Sequence, residues 1–142
     1  MTYLAIDFGA KRTGIAVSDA GGSMAFVRPA VVKTTKEAFW NAILAAIAEN
    51  NAEAVVVGMP RIADGNKTLI VRQIENFIAS LQRRCALPVY CMDETLSSFE
   101  AHTLLREGGK NGIRARASLD SAAAVRILES FLALPHEQRK RI

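Results

Sequence analysis

Apolar positions along the chain alternate between short unbroken runs and stretches spaced at three and four. Tyr3 to Phe8 is an apolar run closed by Gly9, and it reads as a strand. Thr13 to Ser18 is short, partly β-branched and follows the four-residue turn Gly9-Ala10-Lys11-Arg12, which is a hairpin signal. Ala25 to Lys33 is a third strand, in which Pro29 calls for an edge position or a bulge. Thr35 then caps a helix from about Lys36 to Asn50, with Phe39, Trp40, Ile43, Leu44 and Ile47 on one side. Ala54 to Val57, bounded by Gly58 and Pro60, fits a strand buried on both faces. A loop from Met59 to Asn66 leads into a helix from about Lys67 to Arg84, with Ile70, Ile74, Phe77, Ile78 and Leu81 inward. Pro88 to Met92 is another short strand. Ser97 caps a helix to about Glu107, with Glu100 completing a capping box. Gly108, Gly109 and Gly112 mark a loop, and Ser118 caps a last helix to about Leu134, before Pro135.

The order is β-β-β-α-β-α-β-α-α. Three meandering strands followed by strands that alternate with helices predict an α/β fold, a mixed five-stranded sheet flanked by helices. There is no repeat, low-complexity tract or linker, and 142 residues fit one domain, residues 1–142. Half the residues are hydrophobic, and a chain of this size buries roughly two-thirds of its unfolded surface, so it needs no staples. Cys85 and Cys91, six apart, match neither a disulfide scaffold nor a redox or zinc pair. No apolar run approaches the ~18 residues of a membrane span, and the N-terminus has no basic leader. The expected setting is the reducing cytoplasm, away from membranes.

The net charge of +4 is uneven. Residues 1–60 hold five basic and five acidic side chains, so the whole excess lies beyond residue 60. Arg106, Lys110, Arg114 and Arg116 face only Glu107 within their stretch. Such a basic loop can neutralise phosphates, although it also serves as a merely solvated surface.

Three acidic positions stand out by placement. Asp7 interrupts an apolar strand, where an unpaired carboxylate costs several kcal/mol. Asp93-Glu94 follow an apolar strand, and Asp120 sits in the first turn of the last helix beside Ser121-Ala122-Ala123-Ala124. Carboxylates at strand ends can hold two divalent cations about 3.5–4 Å apart for phosphodiester hydrolysis, and Mg²⁺ or Mn²⁺ would suit such oxygen ligands. Each acid also has a structural account: a strand-end Asp forms turns, and an Asp near a helix start complements the dipole.

Several motifs mislead. Asp7-Phe8-Gly9 spells a kinase motif without the rest of a kinase. Asp64-Gly65-Asn66-Lys67-Thr68 lacks the glycines of a phosphate-binding loop. Trp40, Met59 and Met92 read as core, and His102 and His136 have settings that do not suggest acid–base work.

Four segments resemble the YqgF/RuvX family. They are Asp7 to Asp19 (DFGAKRTGIAVSD), Val57-Gly58-Met59-Pro60 with Asp64-Gly65, Asp93 to Ala101 (DETLSSFEA), and Leu119 to Leu128 (LDSAAAVRIL). Their order and spread cover essentially the whole chain. The resemblance implies a ribonuclease H-like fold and a nuclease, described either as maturing the 5′ end of pre-16S rRNA or as a Holliday junction resolvase. It makes Asp7, Glu94 and Asp120 the catalytic, metal-binding acids for Mg²⁺ or Mn²⁺. Asp93, on the alternate face of its strand, is the weaker neighbour. Lys11, Arg12, Arg61, Arg114 and Arg116 become candidate nucleic-acid contacts, for structured RNA or branched DNA. Thr95 stands where the family usually has Arg, and Arg61-Ile62-Ala63 departs from the usual Leu-Asn-x loop. These changes leave the acids intact and alter the grip on a strand. A monomer or homodimer is expected, the dimer suiting a resolvase that cuts two strands. Three rivals remain: a non-catalytic nucleic-acid-binding module of the same fold, a transcription or ribosome-assembly factor working through contacts alone, and an actin-like ATPase, which would need a second domain.

Overall fold

The computed structural model describes the backbone of residues 1–60, 69–94 and 112–142, and the side chains of those spans apart from residues 94 and 112–120. The strands are β1 (Tyr3–Asp7), β2 (Arg12–Ser18), β3 (Ala25–Val32), β4 (Ala54–Pro60), β5 (Val89–Glu94) and β6 (Lys140–Arg141). The helices are α1 (Lys36–Glu49), α2 (Leu69–Arg84) and α3 (Gly112–Ala133), with a 3₁₀ turn at His136–Gln138. The sheet order is β3-β2-β1-β4-β5-β6. Pairs β1–β2, β2–β3 and β5–β6 are antiparallel, and β4 runs parallel to both β1 and β5. The mixed sheet is as expected, with six strands in place of five. Lys140–Arg141 add the sixth because Ile142 N–H donates to the Val89 carbonyl at 2.8 Å and draws the tail alongside β5.

The α1 boundaries follow from its caps. Thr35 Oγ1 accepts from Ala38 N–H at 3.1 Å. At the other end Asn51 takes φ 53°, so that Asn51 N–H reaches the Ala48 carbonyl and Ala52 N–H the Ile47 carbonyl, a left-handed cap that satisfies the last turn. Pro29 lies on β3, an edge strand, where the β2–β3 register shifts between Thr13 and Ile15. Both sequence expectations for this proline hold together.

Three boundaries differ from expectation. β4 continues through Gly58, Met59 and Pro60, because these pair with Met92, Asp93 and Glu94. β5 accordingly ends at Glu94 rather than Met92. Helix α3 starts at Gly112, six residues before the expected cap Ser118. Arg, Ala and Ile are all adequate helix formers, so residues 113–117 extend the helix instead of forming a loop. The expected helix to Glu107, Gly108, Gly109, and loop residues 61–66 lie outside the described residues.

Alternation along the strands splits the core in two. Leu4, Ile6, Ile15, Val55, Val57 and Val89 face α1 and α2, meeting Phe39, Trp40, Ile43, Ile47, Ile74, Phe77, Ile78 and Leu81. Tyr3, Ala5, Ala16, Ala54 and Val56 face α3, meeting Ala124, Ile127, Leu128 and Phe131. Arg139 closes the C-terminal end by donating to the Tyr3 hydroxyl and to the Leu132 and Leu134 carbonyls. Its guanidinium also lies 4.9 Å from the Phe131 ring centroid. No described helix is long and apolar enough to cross a membrane.

Candidate nuclease site

Asp7 closes β1 and is half-buried. It stands opposite Gly14 of β2. It has the same parity as Tyr3 and Ala5, so it lies on the α3 side of the sheet. The chain then turns sharply. A Cβ at Gly9 would sit 2.1 Å from the Arg12 carbonyl oxygen, so only glycine permits this turn. The turn delivers Lys11, exposed, and Arg12, half-buried at the start of β2. Arg12 shares parity with Gly14 and Ala16 and therefore lies on the Asp7 side.

Glu94 closes β5 opposite Pro60 of β4. Tyr90 and Met92, the preceding residues of the same parity, pack against the α3 core, which places position 94 on that side as well. Asp93 falls on the other side with Cys91. Burial raises the Cys91 thiol pKa, and the neighbouring Asp93 carboxylate raises it further, against the opposing pull of Lys140. Alternation thus separates the two adjacent acids.

Asp120 lies well inside α3, not in its first turn as expected. Its position is set by its neighbour. Ser121 is fully buried; its Oγ donates to the Arg28 carbonyl of β3 at 2.5 Å and accepts from the Ile15 N–H of β2 at 3.4 Å. Ile15 is the register partner of Ile6, one residue from Asp7. Farther along α3, Phe131 meets Tyr3 at the opposite end of β1, with centroids 5.2 Å apart. The helix therefore runs antiparallel to β1, and residue 120 occupies its Asp7-proximal part, one turn before buried Ala124. Sequence reading missed Ser121 as the anchor. Its signal is a lone hydroxyl beside a run of three alanines.

By strand register, Asp7 is level with Gly58, which pairs with Met92. Two strand spacings and a two-residue offset put the backbones of residues 7 and 94 about 12 Å apart. Backbone placement thus gathers positions 7, 94 and 120 on one side of the sheet, at the carboxyl ends of β1 and β5. Arg114 and Arg116 lie on α3 rather than on a glycine loop; two residues apart in a helix, these positions differ by about 200° around the axis. Arg61 and Thr95 are outside the described residues. Among the described residues, no three His, Cys, Asp or Glu form a metal cage.

A six-stranded mixed sheet with helices on both sides and acids at parallel strand ends defines a ribonuclease H-like α/β protein. The chain belongs to the RuvX family, described as Holliday junction resolvase, whose model matches residues 1–134. It is 53% identical over 139 residues to a protein of Nitratidesulfovibrio vulgaris (strain Miyazaki F) named "Putative pre-16S rRNA nuclease", covering 98% of each chain. A protein of the same name from Lawsonia intracellularis is 42% identical over 142 residues, covering 100% of each. Among solved structures, Thermus thermophilus RuvC in complex with a Holliday junction substrate superposes with a TM-score of 0.61 at 19% identity, covering 100% of both chains.

Proposed function

We propose that this chain is a divalent-metal-dependent nuclease that trims the 5′ end of pre-16S rRNA in the cytoplasm, acting as a single domain through Asp7, Glu94 and Asp120. The observation that carries this reading is the common placement of the three acidic positions on the α3 side, at the carboxyl ends of β1 and β5. The substrate follows from the names of the close relatives.

Three carboxylates form an all-oxygen donor set, which suits Mg²⁺ or Mn²⁺. When bound, such ions supply an activated water and stabilise charge on the phosphodiester transition state. The chain's own groups do the positioning. The Gly9 turn and the Ser121 anchor hold Asp7 and residue 120 in register. Arg12, on the Asp7 side, and Lys11, exposed in the turn, orient the phosphate beside the acids.

The test is cleavage of a pre-16S rRNA 5′ fragment with Mg²⁺ or Mn²⁺, in parallel with a four-way DNA junction. The expected outcome is RNA cleavage that disappears in Asp7→Asn while RNA binding survives. Cleavage of the junction alone would move the substrate to branched DNA, the reading favoured by the family description. Binding of both without cleavage would leave a nucleic-acid-binding module.

A further inference from the structure

A second feature lies on the opposite side of the sheet, between α1 and α2. Two adjoining hollows of about 450 and 520 Å³ share Lys36 and Trp40 and form one groove. Its floor is the outer edge of the aromatic core: Trp40, 7% exposed, stacks on Phe77, 4% exposed, at 5.2 Å and 13°, and Phe39 and Phe8 continue the cluster. Its rim is cationic. Lys33 Nζ stands 5.8 Å from the centroids of both Phe8 and Phe39, Lys36 is exposed, and the Arg84 guanidinium lies 4.4 Å over Trp40. Among the described residues, Glu37 is the one acid lining it, against these three cations. Exposed Gln73 and Asn76 of α2 add amides that can both donate and accept.

The groove opens beside Phe8 and Ala10, immediately after Asp7. Lys33 N–H donates to the Lys11 carbonyl at 2.8 Å, so the Gly9–Lys11 turn is a lip shared by the acid site and the groove. A polyanion leaving the acids over this lip meets Lys33, Lys36 and Arg84 in sequence. A cationic rim beside two exposed amide side chains matches a phosphodiester backbone whose bases are unpaired, since paired bases would leave no free edges for Gln73 and Asn76 to bond.

We propose that the α1–α2 groove binds the single-stranded RNA flank of the substrate, a few nucleotides from the bond to be cut. The direction of the strand and its being RNA rest on the nuclease reading; the binding of a single strand does not.

Trp40 is the only tryptophan in the chain, so its emission reports on the groove. Titrating the full-length protein with hexauridylate, without divalent metal, should shift or quench Trp40 emission saturably. An RNA duplex of equal length should not. The Lys33→Ala/Lys36→Ala protein should bind hexauridylate at least tenfold more weakly. Its log Kd against log salt slope should be shallower by about 1.4, at ~0.7 per single-strand phosphate contact. Gln73→Ala/Asn76→Ala should weaken binding without changing that slope. Asp7→Asn should retain the wild-type Trp40 response, which separates the two readings: loss of hydrolysis with the response intact condemns only the nuclease site. An absent response, an equal response to the duplex, or tighter binding of polyglutamate than of hexauridylate would overturn the groove proposal.

Discussion

On the α1–α2 side of the sheet, contact is made by bulk. Leu4, Ile6, Ile15, Val55 and Val57 meet Phe39, Trp40, Ile43, Phe77 and Leu81. On the α3 side, large residues gather at one end, where Tyr3 meets Phe131, while Ala5, Ala16 and Ala54 of the strands and Ala124 of the helix leave the rest of the contact to small side chains. The first arrangement is built from bulky side chains on both layers, each worth roughly 1.5–3 kcal/mol when fully buried. The second brings backbones close enough for one hydroxyl, Ser121, to bond β2 and β3 from the helix. Large side chains hold two layers together with some latitude, whereas small residues and a hydrogen bond fix a register. Positions 7, 94 and 120 of the backbone lie on the side where register is fixed.

That contrast can be broken at neighbouring residues. Glu94→Gln should reduce cleavage ~100-fold or more, because losing several kcal/mol of transition-state stabilisation costs a factor of ten per 1.36 kcal/mol. Asp93→Asn, one residue away on the other side, should stay within about twofold, well under 1 kcal/mol on the same scale. Steady-state kinetics on one RNA fragment compares them, and equal losses would erase the distinction between the faces. Next comes Phe131→Ala, at about 3–5 kcal/mol in urea unfolding, since Phe131 is the largest fully buried side chain on the α3 side. Ser121→Ala should cost about 1–3 kcal/mol by removing the buried hydroxyl that bonds the Arg28 carbonyl and the Ile15 N–H. Its cleavage rate should fall further than its stability accounts for, because the register of residue 120 depends on that bond. Ser121→Cys, with a weaker donor, should recover only part of the rate.

The smallest effect is expected at Asp19. Its carboxylate accepts from the Met24 and Ser23 backbone N–H groups at 2.9 and 2.7 Å, and from the Ser23 hydroxyl, which together hold its pKa down at about 2. A depressed folded-state pKa adds stability above the unfolded value, near 3.8, and that stability fades as pH falls towards 2. Asp19→Ala should therefore lower the melting temperature slightly at neutral pH and leave it level with the parent below pH 2. A melting series across pH checks this.

The elements buried on both faces were the most legible in the sequence. β1, β4 and the inward stripes of α1 and α2 could be read from runs and spacings because burial demands apolar residues there. The expected end of β4 at Val57 was too early because Gly58 and Pro60 are punctuation in isolation. Here they pair in parallel with β5, a long-range contact that no local pattern carries. β6 left no trace, being two charged residues held by backbone bonds. The start of α3 was placed late because Ser118 looks like a cap, while nothing in residues 112–117 forbids a helix. Family membership is legible from whole motifs; Asp7, Asp93-Glu94 and Asp120 stand out by their placement at strand and helix ends, and the motifs add the preference for Glu94 over Asp93. Ser121, which sets where one of them sits, reads in the sequence only as one more small residue beside three alanines, because its partners Arg28 and Ile15 lie about a hundred residues away.

The two margins of the sheet are blunted by different means. At β3 the displaced register around Pro29 interrupts the ladder of donors that another strand would need, even though Phe26, Val27 and Val32 are exposed there. At β5 the outer margin is covered by the short tail strand, which Arg139 pins in place. The sheet thus resists growing by adding strands from neighbouring copies. Neither margin offers an incoming strand the long, regular run of backbone donors and acceptors on which edge-to-edge stacking depends.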